Sequence, residues 1–406
     1  MRIFLSAGEP SGDLHGANLI HSIRRLRPDV EFVGFGGPKM EEAGATLLFP
    51  LVELAVMWFL RVLIKLPKFF ALIDQAEEEF RTNRPDALVV IDYPGFHWVL
   101  AKRAKKYGIP VIYFVPPQIW AWAGWRVKKV RRSIDHVLCT LPFEPAWYHA
   151  RGVPGAVHVG HPYFDELTER HLDAEFLAVM GREKGPLVAI LPGSRTQEVT
   201  RNLPTMLRAA AKLAKQRPDA RFAIACLHDR HRALATEIIE KTNAEVDVEI
   251  HAARTPELIR LADVAWAVSG SVGLELMVEA LPTVVLYRIK RFDLWVARKF
   301  IKSKYIALVN LLADAEVMPE YLTSRDVSDE MAAHALTWLN DPAERARASK
   351  TLADLRDRVA IPGASDRAAE RIVAALAPPT PGHPLHRGPH GRDAVAPGHR
   401  PGSNRP

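Results

Sequence analysis

The feature that most restricts how this chain can fold is a recurring unit. A short apolar run ends in a loop of small residues and prolines, and a helical pattern follows. The clearest case is LVAILPGSRTQEV at 187–199. Its apolar run reads as a buried strand, Pro192-Gly193 as a turn, Ser194 as a helix cap, and Arg195, Gln197 and Glu198 as the first turn of a helix. Strand runs of the same kind stand at 2–5, 31–35, 87–91, 111–115, 136–141 and 156–159, and again at 221–226, 264–268 and 282–286. Strands alternating with helical segments specify a parallel sheet covered on both faces, so an α/β chain of doubly wound, Rossmann-like domains is expected. With 406 residues, 48% of them hydrophobic, there is material for two cores.

A polar, helix-forming stretch from Asp165 to Lys184, closed by Gly185-Pro186, separates the units into two groups. The expected organisation is a first domain over 1–165, a linker over 166–186, a second domain over 187–342, a terminal helical region over 343–376 broken at Pro362-Gly363, and a tail over 377–406. Eight prolines, five glycines and four histidines give that tail a low-complexity composition expected to remain disordered.

Composition narrows the function classes. Cys139 and Cys226 lie far apart in apolar runs, which favours neither a disulfide framework nor metal ligation and points to a reducing cytoplasmic compartment. The opening MRIFLSAGEPSGD holds too short an apolar run for a signal peptide, so secretion is not expected. The formal charge of +7 fits an anionic partner. The basic run Arg126, Lys128, Lys129, Arg131 and Arg132 follows three tryptophans at 120, 122 and 125, but no nucleic-acid motif surrounds it, and nucleic acid is not an expected partner.

Between Val52 and Leu72 apolar and aromatic residues crowd together, interrupted by Arg61, Lys65 and Lys68 and by Pro67. Three cations at this spacing argue against a transmembrane span. Two readings remain: a helix lying in a membrane interface, with Trp58, Phe59, Leu63 and Phe69 in contact with lipid, or a buried helix with snorkelling cations.

Four loops carry candidate chemistry. In the first half, Gly8 and Gly12, with Ser11 between them, permit close approach by a sugar or phosphate, although the spacing does not match a dinucleotide fingerprint. Asp92 ends an apolar strand just before Pro94-Gly95, where a carboxylate can serve as general base or merely cap the next helix. In the second half, Gly193, Ser194 and Arg195 form an anion-type loop, and Ser269, Gly270, Ser271 and Gly273 form another, with Glu275 placed to bind the two hydroxyls of a ribose. Two such loops with an acid beside the second describe a nucleotide-diphosphate pocket. No residue cluster offers a metal site, and no cofactor is expected.

Together the stretches SAGEPSGDLHGA at 6–17, IDYPGF at 91–96, WAW at 120–122, RVKKVRR at 126–132, PFEP at 142–145, GHP at 160–162, LPGSRTQEV at 191–199, SGSVGLE at 269–275 and NLLAD at 310–314 closely resemble the lipid-A-disaccharide synthase family. The resemblance implies the GT-B architecture, two Rossmann-like domains facing each other across a cleft. It also implies transfer from UDP-2,3-diacylglucosamine to 2,3-diacylglucosamine 1-phosphate, giving a β-1,6-linked disaccharide 1-phosphate and UDP. Asp92 then suits the base, Arg195 the departing diphosphate, Glu275 the uridine ribose, and Asn310 a family position in the donor site. Gly8, Ser11 and Gly12 would shape the acceptor side. The implied location is peripheral, on the cytoplasmic face of the inner membrane, with the membrane surface as a partner and a homodimer left open. Trp58, His97 and Val309 depart from the family's usual residues, which bears on acyl-chain preference. Other UDP-sugar enzymes of this architecture, such as a UDP-N-acetylglucosamine 2-epimerase or a muropeptide-lipid glycosyltransferase, and a non-catalytic membrane-bound sugar-nucleotide binder are the competing readings.

Overall fold

The computed structural model describes residues 1–52, 66–300 and 303–377. They form two parallel sheets. The first contains β1 (Arg2–Ala7), β2 (Glu31–Phe35), β3 (Thr46–Phe49), β4 (Ala87–Ile91), β5 (Val111–Phe114), β6 (His136–Cys139) and β7 (Ala156–His158), in the order β3-β2-β1-β4-β5-β6-β7. The second contains β8 (Leu187–Leu191), β9 (Arg221–Cys226), β10 (Glu249–Ala252), β11 (Val264–Ala267), β12 (Thr283–Arg288) and β13 (Glu320–Thr323), in the order β10-β9-β8-β11-β12-β13. Both are doubly wound, each with the strand order reversing beside its first strand.

Burial on both faces explains the unbroken apolar runs. Successive residues of β1 point to opposite sides. Phe4 packs with helices Leu66–Thr82 and Pro94–Lys106, while Ile3 and Leu5 pack with helix Pro10–Leu26. In β8, Val188 and Ile190 meet helix Thr196–Gln216, and Leu187, Ala189 and Leu191 meet helices Thr255–Leu261 and Val272–Val278.

Three strands are absent from the sequence reading: β3, β10 and β13. All three are four-residue edge strands whose residues are mostly half-buried; β10 (EIHA) and β13 (EYLT) lack the apolar run that marks the interior strands, whereas β3 (TLLF) has one.

The chain after the second sheet divides between the two halves. Helix Pro342–Val359 places Leu352 and Leu355 in the core beneath β8, and helix Ala364–Leu376 crosses back to bury Ala368, Ala369 and Ile372 against helix Pro10–Leu26. Asp165 fixes this return, its carboxylate accepting from the backbone N–H groups of Gly363 (2.6 Å), Ala364 (3.2 Å) and Ser365 (3.0 Å).

Of the four side chains expected to touch lipid, Trp58, Phe59 and Leu63 lie outside the described residues. Phe69 is half-buried, its ring edge-on to the buried Phe96 at 4.9 Å against the first core, and the neighbouring Phe70 is exposed. No helix among the described residues is long and apolar enough to cross a membrane.

Candidate active site

In parallel sheets, ligands gather at the carboxyl ends of the strands where the order reverses. Those points lie between β1 and β4 in the first sheet and between β8 and β11 in the second. The four loops leaving these strands carry Glu9, Asp92, Arg195 and Ser269.

Asp92 and Tyr93 have φ of 53° and 41°, two successive non-glycine residues in the left-handed region. Such a turn needs its surroundings to hold it. The Asp92 carbonyl accepts from His97 Nδ1 at 2.6 Å and from the Tyr113 hydroxyl at 2.7 Å. A carbonyl only accepts, so Nδ1 carries the imidazole hydrogen and Nε2 accepts from the Ser6 hydroxyl at 2.9 Å. Burial pushes His97 down to about 4, keeping it neutral in this role. His97, which the sequence marked only as a departure from the family pattern, therefore pegs the Asp92 turn to the end of β1. Helix Pro94–Lys106 has no side-chain cap, so the Asp92 carboxylate is not spent on one.

Burial raises the Asp92 carboxyl above its ordinary range, opposed by the Tyr93 N–H and by the charges of His15 and Arg195. Glu9 is raised too, first by burial and then by the charge of Asp92, and Arg195 again opposes. The charge of Arg195, from the second sheet, thus acts on two carboxyls carried by loops of the first. Sequence reasoning missed Glu9. The available signal was its position, since it leaves β1 at the same sheet edge where Asp92 leaves β4. The other acid of that loop, Asp13, is buried and accepts from the N–H groups of Gly37, Lys39 and Met40.

The glycines beside Glu9 have packing reasons. A Cβ on Gly8 would fall 2.3 Å from the Tyr93 ring, and Gly12 is buried inside helix Pro10–Leu26 against Ala7 and Ile91. Both glycines are buried and face side chains of the chain itself. Ser11 is exposed in the first turn of that helix.

The Pro192–Glu198 loop also differs from expectation. Arg195, not Ser194, holds the N-cap position of helix Thr196–Gln216, and a guanidinium offers only donors. Glu198 supplies the acceptor, taking the N–H groups of Ser194 (3.1 Å) and Arg195 (3.2 Å) and also Arg195 Nη1 (3.1 Å). Two amides of the supposed anion loop are thereby bonded to the chain's own carboxylate. Glycine is required at 193, where φ is +125° and a Cβ would sit 2.5 Å from Glu198 Cβ.

Gly193, Ser194, Glu198, Ser269, Gly270, Ser271 and Glu275 line one cavity of about 390 Å³, together with Tyr163 and Arg170 from the connecting segment. That volume is typical of a small-molecule site. A Cβ on Gly270 would meet nothing within 4 Å, whereas Gly273 faces Val309 at the cavity's back. Ser269 donates to the Ile306 carbonyl at 2.7 Å. The Glu275 carboxylate accepts from the Tyr163 hydroxyl at 3.0 Å and from Arg170; burial raises its pKa and Arg170 opposes. Arg170 was read as a linker residue and Tyr163 as part of the end of the first domain, and nothing in their local pattern marks them.

Asn310 does not reach the cavity. It is fully buried, its Nδ2 donates to Met318 O and Glu320, and its Oδ1 accepts from the N–H groups of Val317 and Met318. Four bonds fill its capacity. Glu320 in turn holds the N–H groups of Ile306 and Ala307, so Asn310 braces the wall behind Ser269. Among the described residues no cluster of His, Cys, Asp and Glu could hold a metal ion.

Residues 3–370 match the family model described as lipid-A-disaccharide synthetase. The chain belongs to that family. A lipid-A-disaccharide synthase of Anaeromyxobacter dehalogenans strain 2CP-1 is 36% identical over 375 residues, 92% of this chain and 97% of the relative. One of Myxococcus xanthus strain DK1622 is 35% identical over 378 residues, covering 93% and 98%. The family makes the chain a glycosyltransferase of lipid A biosynthesis. Solved structures of much lower identity share the fold: an S. aureus MnaA–UDP complex at 13% identity and TM-score 0.64, covering 92% of this chain and 96% of that one, and a Rickettsia africae glycosyltransferase at 10% and 0.57, covering 92% and 98%.

Proposed function

We propose that this member of the lipid-A-disaccharide synthetase family transfers 2,3-diacylglucosamine from UDP-2,3-diacylglucosamine to 2,3-diacylglucosamine 1-phosphate, with inversion, at the cytoplasmic face of the inner membrane. The observation that carries the reading is the placement of Glu9 and Asp92 at the switch point of the first sheet and of Arg195 at that of the second, with the charge of Arg195 opposing the raised pKa of both carboxyls. The acceptor 6-hydroxyl attacks the anomeric carbon and passes its proton to Asp92, whose raised pKa makes it a stronger base than an ordinary aspartate. The bond from the anomeric carbon to the diphosphate oxygen breaks, and Arg195 with the 269–273 loop compensates the charge on departing UDP. Glu275 exchanges its bonds to Tyr163 and Arg170 for the ribose hydroxyls. Ser11 stands on the acceptor side.

The test is incubation with both substrates and mass analysis for the tetraacyl disaccharide 1-phosphate. Asp92→Asn is expected to lower kcat by roughly 10²–10⁴-fold with UDP affinity retained; undiminished turnover removes Asp92 from the reaction. A second reading rests on the fold alone, which a Neisseria meningitidis UDP-GlcNAc 2-epimerase bound to UDP-GlcNAc shares at TM-score 0.62 and 10% identity. It requires that UDP-GlcNAc be epimerised with no lipid acceptor present, which proton NMR of the sugar nucleotide would register.

A further inference from the structure

Two histidines carried by the family-like stretches take no part in the reaction above. His15 lies on helix Pro10–Leu26 and is buried, and His161 follows β7. The helix touches the end of β4 through glycine. A Cβ on Gly12 would come to 3.7 Å from the Ile91 carbonyl oxygen and one on Gly16 to 3.4 Å from Ile91 Cδ1, so the helix lies against the residue that precedes Asp92. His15 stands in the turn between these glycines and flanks the face they share. Its Nδ1 is 2.9 Å from Glu166 Oε1, with the two side chains only 6% and 13% exposed. Neither atom has a hydrogen-bond partner among the described residues, so the contact is one of charge.

Glu166 belongs to helix Tyr163–Glu169 of the connector. On the same segment Tyr163 and Arg170 hold Glu275 in the cavity of the second half, and the charge of Glu166 also acts on Arg170. His161 is the neutral member. Its Nδ1 accepts from the Tyr163 N–H at 3.2 Å, and burial, then the charge of His15, lowers its pKa to about 3. The charged groups on the other elements packed against helix Pro10–Leu26 are engaged elsewhere or exposed. Asp366 pairs with Arg25, Arg367 donates to the Val159, Ile361 and Pro362 carbonyls, and Lys39, Glu41, Glu42, Glu370 and Arg371 are exposed. Asp13, on the helix itself, is taken by the amides named above. His15 therefore faces Glu166, His161 and Asp92, and of the two cations that oppose the raised Asp92 pKa it acts more strongly than Arg195.

We propose that His15 is a positioning residue for the transfer: Glu166 fixes its imidazolium beside Asp92, where the positive charge keeps the carboxylate ready to take the acceptor's proton. An opposite charge close by favours the ionised form of a carboxyl, and an imidazole carries that charge on the acid side of neutrality. Because Glu166 sits on the segment that holds Glu275, the pair also ties the edge carrying Asp92 to the cavity of the second half. The inference rests on the reading of Asp92 as the base and extends it by naming what sets that base's charge.

The pH profile of kcat/KM for disaccharide formation by the full chain tests it. His15→Gln keeps a polar side chain and removes the charge, so the acid limb should move to higher pH by about half a unit or more, a loss of about threefold or more on that limb. UDP affinity, measured by calorimetry, should be unchanged. Glu166→Gln should also lower kcat/KM on the acid side, by about twofold or more, yet add nothing in the His15→Gln background, because it acts through His15. An acid limb at unchanged pH in His15→Gln, or additive losses in the double variant, overturns the proposal. A loss equal at every pH, with a lowered melting temperature, marks His15 as a packing residue and overturns it too. Asp92→Asn reads the underlying assignment by itself. Undiminished turnover in that variant removes the base, and this inference with it, whereas a collapse there with an unmoved limb in His15→Gln sinks the role of His15 alone.

Discussion

His97 and Arg195 show how much of the site's chemistry depends on single neighbours. Because Arg195 opposes the rise in pKa of both Glu9 and Asp92, Arg195→Gln should let both climb further. The acid limb of the kcat/KM profile is then expected to move to higher pH, in addition to a fall in turnover; a limb at unchanged pH would place Arg195 out of reach of the carboxyls. His97→Ala removes the peg between Ser6 and the Asp92 carbonyl. We expect kcat to drop about tenfold or more with UDP affinity kept, since small misplacements of a reacting group are costly. His97→Asn, which can still donate to the carbonyl, should recover part of the loss.

At the scale of elements, buried acids tie neighbouring segments together. Glu144 takes Trp120 Nε1 and the N–H groups of Thr140 and Leu141, yet burial outweighs these bonds and pushes it up to about 7. A carboxyl raised in the folded state favours folding through its protonated form. That contribution is full below the ordinary value near 4.5 and is lost as pH rises through about 7. Urea unfolding at pH 5 and pH 8 should show the difference, up to about 3 kcal/mol, and Glu144→Gln should flatten it. Asp165 joins the segment after the first sheet to the returning terminal helix through three backbone N–H bonds. Asp165→Ala should cost about 1–2 kcal/mol, measured by denaturant midpoint.

The whole molecule is laced by a chain that crosses between its halves twice, at the 163–180 connector and again at 360–363. The second crossing gives helix Ala364–Leu376 to the first core, where Ile372 is fully buried with Ile3 and Leu5. Ile372→Ala should therefore cost about 2–5 kcal/mol. Hydrogen exchange should locate the loss, accelerating in β1 and helix Pro10–Leu26 and leaving β8 and β11 unchanged. Acceleration confined to the second sheet would contradict the observed packing.

Interior strands were legible in the sequence because burial on both faces writes them as unbroken apolar runs, and the loops after them because Gly, Pro and Ser mark turns. The order of those strands implied a doubly wound fold, and the motifs on the loops implied the family. Edge strands β10 and β13 carried no such signature, because half-burial lets glutamate and other polar residues interrupt them; β3 escaped notice although TLLF is apolar. The finer assignments depended on particular side-chain contacts, some within one loop and some between residues far apart in sequence. The space beside Gly8 is filled by Tyr93, the Ser194 and Arg195 amides are taken by Glu198, Asn310 is enclosed by Met318 and Glu320, and Phe69 packs on Phe96. Glu9 entered the site for the same reason, since β1 and β4 become neighbours only in the folded sheet. Local pattern reports what one segment can bury or turn. Whether a polar group is left to meet a ligand is decided by which partner, near or distant in sequence, the folded chain places beside it.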